Sequence, residues 1–387
     1  MRRIYLDYAA TTPLLPEAYQ KMVPLETKEF GNPSSLYLEG RRAKESIDVA
    51  REILSESLGS LFGEVVFTSS GTESANMALV GVALANKNPA RGRILMGAAE
   101  HHCVLGTRIF LERLGYKVEL IPVTKEARID LEVYEKMLGE DVLIVGIMHA
   151  SNELGVINPV PYCAQKAHDK GALFYSDAVQ TFLMPLGPGQ KRWTVDDLGV
   201  DLLSISSHKV YGPKGAGALY VRSGTQIEPL IYGGGQEREM RGGTENVSGI
   251  VGFAEAVKIL QSRKGIWEQK KTLRDVFLKT LTQESSVKFV CSVNDFKDVL
   301  PGHLHLRFPG LSAESMLILL DRLGVSASSG AACSSGSVEP SHVLLASGYS
   351  KEEAKEGLRF TFGLETSLKD AEEAAQRVAM AASQMKR

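Results

Sequence analysis

The run Val142-Leu-Ile-Val-Gly-Ile-Met148 contains no polar side chain, and others like it recur along the first half of the chain. Glu64-Val-Val-Phe-Thr68, Arg93-Ile-Leu-Met96, Lys117–Val123, Ala172–Asp177 and Leu202–Ser206 are equally short and mostly apolar. Segments with helical character lie between them, from Thr72 through Ala85 and at 103–114, 131–138 and 160–170. A strand that is apolar on successive residues has to be covered on both faces, and helices alternating with such strands supply that cover. The pattern therefore predicts an α/β fold with a mostly parallel sheet between helices. In such sheets ligands collect beyond the carboxyl ends of the strands.

The polar residues of the chain fall at those ends. Ser69-Ser-Gly-Thr72 follows the strand at 64–68, Glu100-His-His102 follows that at 93–96, and His149-Ala-Ser-Asn-Glu153 follows that at 142–148. Asp177 ends the next strand, and Ser206-Ser-His-Lys209 ends another before Tyr211-Gly-Pro213 turns the chain. Lys209 at a rigid turn, beside two hydroxyls and an imidazole, is a candidate amine nucleophile at an anion site, where a lone strand-end lysine would simply be exposed. Ser69 to Thr72 opening a helix makes a second anion cradle, because the first helical N–H groups are unpaired; Thr72 is the expected N-cap. Asp177, on an apolar strand, needs a cationic partner if buried. His303 and His305 alternate on a strand but lack a nearby carboxylate or thiol, so packing is the expected role and no metal site is expected.

Beyond Val221, Tyr232–Arg238 and Arg241–Asn246 form glycine-rich loops with arginines, without a Walker pattern. Helices over about 248–261 and 267–282 lead to a smaller α/β unit, with strands near 287–293, 303–308 and 358–363 and helices at 313–323, 340–346 and 367–386. The expected division is a large domain over 13–264 and a small one made of 1–12 and 265–387. Tyr5-Leu-Asp-Tyr-Ala-Ala-Thr-Thr-Pro13 gives small residues in a row but by itself decides nothing. Ser326–Ser337 is almost entirely Gly, Ala and Ser around Cys333, too small to build a core; an exposed thiol there is a candidate nucleophile or sulfur carrier. Cys103, Cys163 and Cys291 are expected to be packing residues.

A formal net charge of −2 argues against nucleic acid or an anionic membrane as partner. Asp7 interrupts any apolar run behind Met1-Arg-Arg, no run approaches membrane-spanning length, and four scattered cysteines suit a reducing compartment, so a cytoplasmic protein is expected.

Tyr5–Pro13, Phe67-Thr-Ser-Ser-Gly-Thr-Glu-Ser74, Glu100-His, Asn152-Glu-Leu-Gly, Asp177-Ala-Val-Gln, Ser206–Gly215 and Arg241-Gly-Gly-Thr together resemble the cysteine desulfurases. These are fold type I pyridoxal phosphate enzymes of the class V aminotransferase group. Ser328-Ser-Gly-Ala-Ala-Cys-Ser-Ser resembles the long cysteine loop of the branch serving nitrogen fixation and iron–sulfur assembly. The resemblance implies that Lys209 holds the aldehyde of pyridoxal 5'-phosphate, Asp177 pairs with its ring nitrogen, Gln180 reaches its phenolic oxygen and His101 stacks on the ring. It assigns the phosphate to Gly71, Thr72, Ser206 and His208, with Thr244 contributed from the second subunit of a homodimer. Asn152, beside the cofactor, and Arg359 hold the carboxylate of L-cysteine. Lys209 and His101 handle protons, and Cys333 takes the sulfur as a persulfide, leaving alanine, for delivery to an acceptor such as an iron–sulfur scaffold. A selenocysteine lyase, another β-lyase or an aminotransferase is the nearest rival, and a transaminase has no use for a nucleophile at Cys333. A cofactor-free relay scaffold would have no need of both Lys209 and Asp177.

Overall fold

A computed structural model describes residues 2–185, 187–329 and 340–386, so the expectation for Cys333 lies outside the described residues. Among the described residues twelve strands follow in chain order: β1 Ile4–Tyr5, β2 Val65–Thr68, β3 Arg93–Gly97, β4 Lys117–Ile121, β5 Val142–Gly146, β6 Leu173–Asp177, β7 Leu202–Ser206, β8 Gly217–Val221, β9 Val290–Cys291, β10 His303–Arg307, β11 Val325–Ser326 and β12 Gly357–Thr361. Seven of them form a sheet in the order β2-β8-β7-β6-β5-β3-β4. Only β8 runs against its neighbours, so the expected mostly parallel sheet is present.

Successive residues of these strands feed different cores. Val145, Phe174, Leu203 and Ile205 join one cluster with Ile47 and Leu54 of the helix Leu38–Leu58 and Phe253 of the helix Val247–Ser262. Ile144, Tyr175 and Leu202 join the other, with Ala75, Leu79 and Val82 of the helix Gly71–Ala85. This two-sided burial is why the strands carry no polar alternation. Each fully buried Val, Leu or Ile contributes about 1.5–3 kcal/mol relative to exposure.

A third core gathers Leu304, Leu306, Leu358 and Phe360 of an antiparallel sheet ordered β12-β10-β9. The helices Ile266–Glu284, Ala313–Arg322 and Leu368–Met385 contribute Phe277, Met316 and Val378 to it. Ile4 and Leu6 belong to the same core, since β1 pairs in parallel with β11. The chain's first residues thus pack with its last hundred, then run back toward the large sheet.

Three local expectations change. The helix expected over 103–114 is two pieces, His102–Leu105 and Arg108–Arg113. The Thr107 hydroxyl bonds the Val104 carbonyl at 2.7 Å, competing for the acceptor a continuous helix would use. The strand expected over 287–293 shortens to β9, which pairs only through Cys291 and Val290, because Ser285 and Val287 bond each other in a turn before it. The N-cap of the helix Gly71–Ala85 is Ser70, whose hydroxyl accepts from Glu73 N at 3.1 Å, and not Thr72. None of the helices among the described residues is long and apolar enough to cross a membrane.

Candidate active site

The carboxyl ends of β2, β3, β5, β6 and β7 open into one cavity of about 310 Å³. Gly71 and Thr72 enter it from the start of the helix Gly71–Ala85, His101 from beyond β3, and Asn152 from beyond β5. Asp177 and Ser206 end their strands there, Gln180 follows Asp177, and His208 and Lys209 sit in the tight turn Ser207–Lys209. Arg359, from β12 of the other sheet, completes the wall. A Cβ on Gly71 would stand 2.9 Å from Val179 Cγ2, so glycine is what lets the helix start press this closely on the residues after Asp177. Thr244 is exposed and lies outside the cavity lining of its own chain.

Burial governs the charge states. Asp177 is 8% exposed; its Oδ1 accepts from Val179 N at 2.9 Å and its Oδ2 from Cys103 Sγ at 3.7 Å. Desolvation raises its pKa, while the backbone N–H, the thiol and the Lys209 charge pull the other way. No arginine or lysine forms an ion pair with it among the described residues, so this carboxylate is left short of a cation. Glu100 lies deeper: its Oε1 accepts from Met148 N at 2.6 Å, its Oε2 has no partner, and burial pushes its pKa well above the carboxylate range. His101 is brought down to about 4 by burial first and then by Lys209 and its histidine and arginine neighbours. Its Nδ1 accepts from Cys103 N at 3.1 Å, which leaves the proton of the neutral ring on Nε2. His208 also falls to about 4 by burial, with Nδ1 3.1 Å from Thr11 Oγ1.

The N-terminal segment, indecisive in the sequence, lies across the site. Lys209 Nζ donates to the carbonyls of Ala9 at 2.5 Å and Ala10 at 2.7 Å, and Gln180 Nε2 donates to Ala9 O at 3.1 Å. Thr12 bonds the His208 carbonyl and accepts from Tyr211 N at 2.8 Å, which ties the segment to the Lys209 turn. Arg359, 2% exposed, donates to Asp7 Oδ1 and to the Asn152 carbonyl, each at 2.7 Å, and its Nε is unpartnered. Asp7, Ala9, Ala10 and Cys103 are therefore site residues beyond those expected. Main-chain carbonyls leave no trace in a sequence, and Cys103 reads there as an ordinary helix residue. Cys103 is buried but donates to Asp177, so packing is only part of its role. Cys163 is buried in the large core, and Cys291 packs against the smaller one.

The other histidines keep out of the cavity. His102 stacks on His342 with ring centroids 4.2 Å apart, and His342 Nε2 reaches the Glu100 carbonyl at 2.8 Å. His305 Nδ1 pairs with Ser292 Oγ at 2.7 Å, while His303 Nε2 is buried without a partner. Among the described residues there is no cluster of three metal-ligating side chains.

Pyridoxal phosphate carries a protonatable ring nitrogen, an aldehyde and a phosphate. A buried carboxylate short of a cation, a lysine amine and an unpaired helix start with neighbouring hydroxyls match those three groups in one cavity. Comparison with known proteins points the same way. The Aminotransferase class-V family model matches residues 4–373. The "Cysteine desulfurase IscS" of Dictyoglomus turgidum is 44% identical over 371 residues, spanning 95% of this chain and 92% of that protein. The chain belongs to the cysteine desulfurases. Members of this class V aminotransferase family depend on pyridoxal phosphate. Among solved structures, a "NIFS-LIKE PROTEIN" superposes on this cysteine desulfurase with a TM-score of 0.89 at 31% identity, covering 99% of this chain and 100% of that one. "SspA in complex with cysteine" gives a TM-score of 0.81 at 33% identity, with 93% and 98% covered.

Proposed function

We propose that this chain converts L-cysteine to L-alanine with pyridoxal 5'-phosphate, delivering the sulfur to Cys333 as a persulfide for an acceptor protein such as an iron–sulfur scaffold. The observation that carries the assignment is Asp177: a buried carboxylate short of a cation, in the same cavity as Lys209 and the start of the helix Gly71–Ala85. When bound, the cofactor supplies an electron sink for the pair left at the substrate Cα. Lys209 holds its aldehyde, Asp177 keeps its ring nitrogen protonated, Gln180 faces its phenolic oxygen and His101 covers the ring. Gly71, Thr72, Ser206 and His208 hold the phosphate. Thr244, exposed and outside its own cavity lining, reaches the phosphate of the second subunit in a homodimer.

The Arg359 fork and the Asn152 side chain orient the substrate carboxylate. The guanidinium is held in place by Asp7 and the Asn152 carbonyl, so little freedom is lost on binding. Lys209 Nζ moves the proton at Cα, and neutral His101, with its proton on Nε2, serves as acid. The Cys333 thiolate attacks the substrate sulfur: an S–S bond forms, the C–S bond breaks, and its electron pair ends as a C–H bond of alanine. Cysteine plus enzyme thiol gives alanine plus enzyme persulfide, with no outside oxidant. We divide the chain into a large domain over 13–264 and a small one of 1–12 and 265–387, a reading that the largely distinct cores of the two sheets support. The cytoplasm is the assigned compartment.

Incubation of the cofactor-loaded protein with L-cysteine and a thiol reductant tests this reading. Alanine and sulfide in equal amounts are expected. Pyruvate with ammonia would make the protein a β-lyase, and an oxo acid formed without sulfur release would make it an aminotransferase.

A further inference from the structure

Behind Lys209 lies a second, smaller cavity of about 60 Å³. It shares Ala9, Val179, Gln180 and Lys209 with the active-site cavity, and its far walls come from both main cores, including Phe182, Leu260 and Phe362. Among the described residues no Asp or Glu lines it. Lys270, on the helix Ile266–Glu284, and His303, at the start of β10, do.

Lys270 packs its stem against Gly302, where an added Cβ would stand 3.2 Å from Lys270 Cδ. The residue is half-buried, and burial brings its pKa down to about 8. No carboxylate offsets that effect. At neutral pH Lys270 is thus a cation with no counter-charge among the described residues. His303 is 8% exposed, burial holds its ring neutral, and its Nε2 has no hydrogen-bond partner. A half-buried cation without a counter-charge and a buried polar nitrogen without a partner are each unfavourable, and a ligand that meets both offsets both.

We propose that the Lys270–His303 cavity is a binding site for a small monovalent inorganic anion of chloride or hydrosulfide size. About two water molecules' worth of space suits such an ion and excludes an amino acid. The anion takes a charge-assisted hydrogen bond from Lys270 Nζ and, in the tautomer that carries the ring proton there, a neutral one from His303 Nε2. Chloride and hydrosulfide share this chemistry, and hydrosulfide is what a desulfurase releases when a thiol reduces its persulfide. The proposal is argued from Lys270 and His303, neither of which the proposed reaction uses, so it stands whether or not that reaction does.

Crystals of the cofactor-loaded protein soaked in bromide test it by anomalous scattering. A bromide peak between Lys270 Nζ and His303 Nε2 is expected. In solution, bromide affinity read from thermal unfolding against a gluconate reference should fall at least tenfold in Lys270→Met and a few-fold in His303→Leu. Lys270→Met removes a buried charge and keeps the stem's volume, so it should fold, and its unfolding curve checks that directly. Displacement of bromide by hydrosulfide at lower concentration than by chloride assigns the site to the sulfur product; the reverse order assigns it to halide. Ordered water alone at the site, or unchanged bromide affinity in Lys270→Met, overturns the proposal.

Discussion

Lys209 and Lys270 stand on the walls of neighbouring cavities and are held in opposite ways. Lys209 is gripped by the carbonyls of Ala9 and Ala10, in a cavity that also contains Asp177. Lys270 is half-buried in the wall of a cavity that, among the described residues, holds no carboxylate and leaves His303 Nε2 without a partner. The difference teaches where chemistry is prepared and where only room is left. In the first cavity the chain has positioned its own groups around a reacting centre, supported by a strap of main chain. In the second it supplies an uncompensated charge and waits for a counter-ion.

The largest effect that separates the two lysines is on turnover. Lys209→Ala should lose alanine formation by at least ~10⁴-fold, since in the proposed reaction its amine both holds the cofactor and moves the proton. A rate within tenfold of wild type would erase the distinction. Asp177→Asn leaves a neutral amide where the buried carboxylate stood, and turnover should fall roughly 10²–10³-fold with a changed visible spectrum. Retention of the wild-type spectrum would show that Asp177 does not face the ring nitrogen.

Arg359→Lys replaces a two-pronged fork with a point charge. A loss of about 1.5–3 kcal/mol in carboxylate binding is expected, read as a rise in KM for L-cysteine of roughly 10- to 100-fold. A change confined to kcat would move Arg359 from substrate binding to support of Asp7. The smallest effect concerns stability. Burial lowers His101 and His208 to about 4 and His149 and His305 to about 3, all below the ordinary 6.5. Between those values the unfolded chain binds more protons than the folded one, so their contribution is present above pH ~6.5 and lost as pH falls toward 3. His168 runs the other way: its Asp201 partner raises it, so its contribution is present in acid and lost as pH rises. His102, His303 and His342 are lowered by burial as well, so the lowered histidines outweigh it, and Tm should drop by roughly 10 °C between pH 6.5 and 4.5. A flat profile would mean that these rings are not buried neutral.

Wherever a strand end carries a polar side chain, the site could be read from the chain alone. Asp177, Lys209 and Thr72 stand out because apolar runs precede them, and the sheet's handedness brings such ends together, whereas the role of His101 came from resemblance. Arg359 came from resemblance, since nothing in the pattern around β12 ties it to a sheet two hundred residues earlier. The strap at Asp7–Thr12 escaped because its work is done by carbonyl oxygens, which every residue has. Lys270 and His303 escaped for another reason: a missing partner has no sequence signal, and only burial in three dimensions shows that neither finds one. The break at Thr107 was hidden because a threonine hydroxyl competes locally with helix bonding, against an otherwise helical period.

The most direct test of the central claim is a single turnover of L-cysteine by wild type and Cys333→Ala, each loaded with cofactor, with alanine counted and the intact protein weighed. The wild type should form one alanine per active site and gain the mass of one sulfur atom on Cys333. The variant should keep its cofactor and its visible colour, gain no sulfur and release little alanine. Alanine released by Cys333→Ala at the wild-type rate would contradict the assignment of sulfur transfer to that residue.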